Sequence, residues 1–141
     1  MEGAISNQPP EETRFLEMVF PEQSNHYGTL FGGTALSLMG KAAFVAASRR
    51  ARRAVVMASS EKIDFHRPVQ VGQVVELYAQ VIRLGRSSMT VVVEMVAETL
   101  LSGQRTLAMC GSFEMVALDA AGRPTDVTAA ATTPSREETA S

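Results

Sequence analysis

The stretch Thr34-Ala-Leu-Ser-Leu-Met-Gly-Lys-Ala-Ala-Phe-Val-Ala-Ala47 is apolar on nearly every side of a helical wheel and holds few β-branched residues. Such a helix is buried on most sides rather than laid on a surface, so other elements must cover it. The rest of the chain offers only strands for the task. Arg14 to Phe20 reads as a first strand stopped by Pro21, and Pro21 to Leu30 as a loop rich in Asn, Gly, Gln and Ser. After the helix, Val55 to Phe65 is a strand closed by Pro68 and Gly72. Val74 to Leu84 alternates, with Val75, Leu77, Ala79 and Val81 on one face. Gly85-Arg86 turns the chain into Ser88 to Glu98, where Met89, Val91, Val93, Met95 and Ala97 share a face. Leu101 to Gly103 turns it again into a last strand, Thr106 to Leu118.

Each strand has one apolar face to bury, and the helix needs a cover. A curved antiparallel sheet wrapped around the helix satisfies both, which makes this an α+β chain of one domain over 14–119. Residues 1–13 and 120–141 are polar, with little to bury, and read as flexible tails.

Composition narrows the partners. At 141 residues and 45% hydrophobic content the chain can bury a core. Its net charge of −2 gives no global field toward nucleic acid or anionic lipid. Arg49, Arg50, Arg52 and Arg53 form a local basic cluster, read first as a solvated helix end at the negative pole of the macrodipole and second as a phosphate contact. A single cysteine, Cys110, allows no internal disulfide and suits a reducing compartment. Met1 to Glu12 lacks the basic start and apolar run of a secretory signal, so a cytoplasmic location is expected. The apolar run from Thr34 to Ala47 is too short to span a bilayer and carries Lys41.

The segment Asn25-His-Tyr-Gly-Thr-Leu-Phe-Gly-Gly-Thr-Ala-Leu-Ser-Leu-Met39 resembles the signature of the acyl-CoA thioesterases of the YciA/BACH (brain acyl-CoA hydrolase) type: Asn, two residues, Gly, two residues, an aromatic, Gly-Gly, then a helix. Ser60-Glu-Lys-Ile-Asp-Phe65 with Pro68 and Gly72, Gly85-Arg-Ser-Ser-Met89, and Phe113 with Val116-Ala117 are similar to later parts of the same family. The resemblance covers about residues 14–127. It implies a hot-dog fold, in which a five-stranded antiparallel sheet wraps a central helix. It also implies a homodimer with a continuous sheet, often built into a trimer of dimers, with active sites at the dimer interface.

The chemistry implied is hydrolysis of an acyl-CoA thioester to a carboxylic acid and CoA, with no cofactor and no metal. An oxyanion must be stabilised, and the free N–H groups and dipole at a helix start can do so. Gly33 is the expected main donor, because Gly32 and Gly33 let a thioester approach the backbone. On spacing alone the pair reads first as a loop-to-helix turn, and only the resemblance makes it a donor site. Asn25 matches the family's loop Asn, which positions substrate or water; on its own it also reads as an Asx-turn residue. The family's helix carries a catalytic Asp at the position that is Gly40 here. The chain is then either an inactivated variant or a natural member whose carboxylate is lost or relocated. Glu61 is the expected backup acid; Glu61 and Asp64, three apart on one strand, are expected on opposite faces. Arg86, Ser87 and Ser88 match the turn associated with CoA in the family, and Arg67 is a further candidate for its phosphates. A non-catalytic acyl-CoA binder or sensor is the alternative that Gly40 suggests. A hydratase of the same fold needs a His–carboxylate pairing, and His66 stands before Arg-Pro rather than in such a pattern.

Overall fold

The computed structural model describes residues 12–128. The expected tails over residues 1–11 and 129–141 lie outside the described residues. Seven elements run in order: β1 (Thr13–Met18), a 3-10 turn (Pro21–Gln23), α1 (Gly32–Ala51), β2 (Val55–Phe65), β3 (Val74–Leu84), β4 (Ser88–Glu98) and β5 (Arg105–Ala117). The strands make one antiparallel sheet in the order β1-β3-β4-β5-β2. Helix α1 packs against all five strands. This is the wrapped-helix architecture of the hot-dog fold.

The alternation in β3 and β4 sets the register. Val75, Leu77, Ala79, Met89, Val91, Val93, Met95 and Ala97 all turn toward the helix and are buried. The helix meets them with small residues: Ala35, Ala42, Ala43, Ala46 and Ala47 are buried around Leu38 and Met39. Short side chains let the sheet approach the helix axis closely. The helix ends where Arg52 adopts a left-handed conformation at φ 53° and its N–H reaches the Ser48 carbonyl at 2.7 Å. Arg49 and Arg50 lie in the last turn, where cations suit the macrodipole, and Arg49 donates to the Thr13 hydroxyl at 3.1 Å.

Two expectations change and one is qualified. The helix is covered on most sides, as expected, but one face stays open within one chain: Leu36, Ser37, Lys41 and Phe44 are exposed, with Phe44 at 47%. It also extends a turn beyond the apolar run at its C-terminal end. The first part of the expected C-terminal tail is built into the domain. The Val127 N–H donates to the Arg86 carbonyl at 2.9 Å, the Thr125 N–H donates to the Ala117 carbonyl at 2.9 Å, and Val127 is buried in the core. One valine among polar neighbours carries no periodicity, which is why the polar composition of this segment misleads.

The sheet ends on one side with β2, an edge strand of eleven residues whose side chains are exposed from Val56 to Lys62. Among the described residues no helix is long and apolar enough to cross a membrane.

Candidate active site

The loop before α1 is held by backbone pairing: Ser24 and Leu30 form an antiparallel bridge, as do Thr29 and Gln70. The Leu30 N–H donates to the Val69 carbonyl at 2.7 Å and the Phe31 N–H to the Gln23 carbonyl at 2.9 Å. Phe31 is extended and starts the helix, yet no side chain caps the first-turn amides and no acidic residue stands in the first turn. The amide donors at Gly32 and Gly33 are therefore left without a capping group at the positive end of the helix dipole. Gly33 is exposed and Gly32 half-buried. The Phe31 ring lies against Gly33 so closely that a β-carbon there would stand 2.8 Å from its Cε2.

Beside this end opens a cavity of about 280 Å³ lined by Thr29, Leu30, Gly32, Ala35, Phe65, His66, Arg67, Pro68, Val69 and Met109. The walls are mainly apolar, and no carboxylate is among them. Phe65 is 61% exposed, and its ring lies 3.7 Å from where a β-carbon on Gly32 would be. Arg67 lines this cavity, so Gly33 and Arg67 both lie at this end of α1. His66 meets no carboxylate in the cavity, unlike the pairing a hydratase needs.

Asn25 is an Asx-turn residue in its geometry. Its Oδ1 accepts from the Tyr27 N–H at 2.9 Å, the Thr29 N–H at 3.2 Å and the Thr29 hydroxyl at 3.1 Å. The carbonyl of the side chain is thus used by the loop itself, and the Nδ2 group is the end left to offer a ligand.

Gly40 lies farther along the helix, about two turns from Gly33. A β-carbon on it would stand 3.2 Å from Met57 Cε of β2. Met57 pairs across the sheet with the buried Met115, which places both on the helix side. Phe31 is the aromatic of the Asn25-to-Gly33 motif, with no role of its own expected of it, whereas Met57 carries no signal in the sequence, since a methionine does not mark a site.

Glu61 does not lie on the helix side. It pairs with Ser112, which alternates with the buried Gly111 and Phe113 and therefore faces outward. Asp64 pairs with Cys110, two residues along on the same outer face. The expectation that Glu61 and Asp64 face opposite ways fails because β2 carries a bulge between them, with Lys62 at φ 53°. The extra residue restores one face to two positions three apart. On that outer face burial, then Glu94 and Asp64, push the Cys110 thiol up from its ordinary range.

The Arg86 turn is at the opposite end of the chain's helix. The Ser87 carbonyl accepts from the Ala117 N–H at 2.9 Å, and Ala117 pairs with Val55, just beyond the end of α1. Arg86 and Ser87 line a cavity of about 270 Å³ with Pro124, Thr125 and Asp126, and Ser88 opens β4 behind them. The Thr128 backbone N–H and hydroxyl, followed by Arg86 and Arg53, hold the Asp126 carboxyl below its usual range. Helix α1 has 20 residues, roughly 30 Å at 1.5 Å per residue. One chain therefore keeps its Arg86 turn a helix length away from Gly33 and Arg67.

Residues 27–103 match the thioesterase superfamily. The chain is 38% identical over 124 residues to the uncharacterized acyl-CoA thioester hydrolase YkhA of Bacillus subtilis, spanning 82% of this chain and 72% of that protein. Its fold is similar to an acyl-CoA hydrolase from Agrobacterium tumefaciens, with a TM-score of 0.77 and 47% identity over 84% of this chain and 46% of that one. An apo-hexameric acyl-CoA thioesterase gives 0.81 at 38% identity, over 82% and 74%. The acyl-CoA hydrolase of Staphylococcus aureus, solved with butyryl coenzyme A and coenzyme A, gives 0.79 at 33% identity, over 82% and 71%. In variants of that enzyme an asparagine, an aspartate and a threonine are each replaced by alanine, the aspartate fifteen positions after the asparagine and the threonine seventeen after the aspartate. The same steps taken from Asn25 lead to Gly40 and then to Met57. By its matched residues, its fold and its relatives, the chain belongs to the thioesterase superfamily.

Proposed function

We propose that the chain binds acyl-CoA thioesters at the start of α1 and hydrolyses them to a carboxylic acid and CoA. The observation that carries this reading is the uncapped helix start at Gly32 and Gly33 beside an apolar cavity. A thioester carbonyl placed there takes hydrogen bonds from the first-turn amides, which strengthen as its oxygen becomes an oxyanion. The acyl group lies against Phe65, Ala35 and Val69. Water adds to the acyl carbon, the C–S bond breaks, and the proton lost by the water ends on the CoA sulfur.

The site takes two copies of the chain. An eleven-residue exposed edge with apolar Val56 and Met57 is a template for pairing. Antiparallel pairing of two β2 strands about a two-fold axis sets the Val55 end of one beside the Phe65 end of the other. The partner's Arg86 then approaches this chain's Gly33 and Arg67, where the phosphates of CoA can be held. It also covers Phe44 and Leu36. Further pairing of such dimers gives a trimer of dimers. A cytoplasmic setting belongs to the same reading, since CoA thioesters and a lone thiol at Cys110 both suit a reducing compartment.

Gly40 favours a second reading, in which the chain holds acyl-CoA without turnover. Thiol release and calorimetric binding, measured on CoA thioesters from acetyl to palmitoyl, separate the two. Hydrolysis predicts release above buffer alone. Gly33→Val, which collides with Phe31 and shields the amides, should reduce release by about tenfold or more. Failure of the folded protein to bind any CoA thioester would sink both readings.

A further inference from the structure

Two positions that carry an aspartate and a threonine in the S. aureus hydrolase fall, by equal spacing, on Gly40 and Met57. In the structure these two residues are neighbours: Met57 Cε stands 3.2 Å from where a β-carbon at position 40 would be. We propose that Gly40 and Met57 form one coupled exchange, in which the Met57 side chain occupies the room a carboxylate on α1 would need, so that position 57 decides whether the site turns its thioester over or only holds it. This rests on the reading of the site as an acyl-CoA site.

Glycine is the poorest helix former after proline, so a bare position in mid-helix calls for a compensating contact. The Met57 thioether supplies one, since it is long and flexible enough to lie on exposed helix backbone. The side chain is only partly covered, at 44% exposure, and sits beside the register shift between Met57 and Ser59. A carboxylate introduced at position 40 would meet its methyl group and find no hydrogen-bond donor there, because a thioether is at best a weak acceptor. Apolar contact also disfavours the charged form that a base or nucleophile needs. A threonine at 57 removes the obstruction and adds a hydroxyl donor. No acid on β2 substitutes from the helix side: the register shift between Met57 and Ser59 turns Glu61 outward, and the bulge at Lys62 brings Asp64 to the same face.

The test uses the chain as it is, Gly40→Asp, Met57→Thr, the double variant, and Gly40→Asn with Met57→Thr. Each is assayed for CoA-thioester binding by calorimetry and for thiol release across pH. Each single variant should change release by less than about tenfold. The double variant should raise it by about a hundredfold or more, the scale of a positioned acid–base group. Its rate should also gain an acid limb as the new carboxylate titrates. The asparagine control has the same shape and should bind without turning over, which separates chemistry from packing. Full recovery by Gly40→Asp alone overturns the proposal. So does a double variant that binds acyl-CoA as tightly as the parent yet gains no turnover. If none of the folded proteins binds a CoA thioester, the assignment of the site itself falls, and this proposal with it.

Discussion

Ile63 fills the space that a side chain on Gly111 would take: a β-carbon there would stand 2.5 Å from Ile63 Cδ1 and 3.1 Å from Met39 Cε. The bulge that puts Asp64 on the same outer face as Glu61 brings Ile63 inward, so Gly111 and the bulge serve one arrangement. Gly111→Ala should overpack this point and destabilise the fold by about 1–3 kcal/mol. A lowered urea midpoint with an unchanged slope checks it; an unchanged midpoint would mean that Ile63 moves aside at no cost.

Val127 is the apolar anchor of a segment whose composition resembles a tail. Removing two buried methyl groups in Val127→Ala should cost roughly 2 kcal/mol. Thermal and urea denaturation measure it. The loss should also loosen the Arg86 turn, because the Val127 N–H holds the Arg86 carbonyl; faster hydrogen exchange at the Val127 amide reports this.

Asn25 has two ends with separate work. Its Oδ1 ties the loop through Tyr27 and Thr29, and its Nδ2 is the end that serves a ligand under the proposed function. Asn25→Asp keeps the acceptor, so the Thr29 amide should stay protected from exchange while acyl-CoA affinity falls. Asn25→Ala loses the acceptor as well and should cost about 1–2 kcal/mol, from hydrogen bonds worth roughly 0.5–1.5 kcal/mol each. Equal exchange at Thr29 in both variants would contradict this division.

On the outer face Arg105 joins Glu98 at 2.7 Å, Glu76 at 3.0 Å and the Tyr78 hydroxyl at 2.6 Å. The Tyr78 hydroxyl, then Arg105, hold the Glu76 carboxyl below its ordinary value of 4.5. A carboxyl depressed in the folded state stabilises above its unfolded pKa and loses that contribution as pH falls through the folded one. Glu76→Gln should therefore be less stable than the parent at pH 7, by a small margin for so exposed a network. The gap should close in acid below pH 4.5. Stability curves at pH 7 and pH 3 check the sign; a gap that widens in acid would refute it.

Period-two alternation in Val74–Leu84 and Ser88–Glu98 and the all-round apolar helix determined the wrapped-helix fold, because each pattern can be buried in only one way. The Asn25-to-Gly33 motif likewise located the helix start, since glycine pairs and an Asx residue have local backbone consequences. The faces of Glu61 and Asp64 were decided only in three dimensions. Alternation assumes an unbroken strand, and the bulge depends on how Ile63 packs on Gly111 and Met39, far away in sequence. Met57 against Gly40, Phe31 over Gly33 and Val127 in the core are contacts of the same kind. They follow from which distant side chains share a volume, and no local pattern records that.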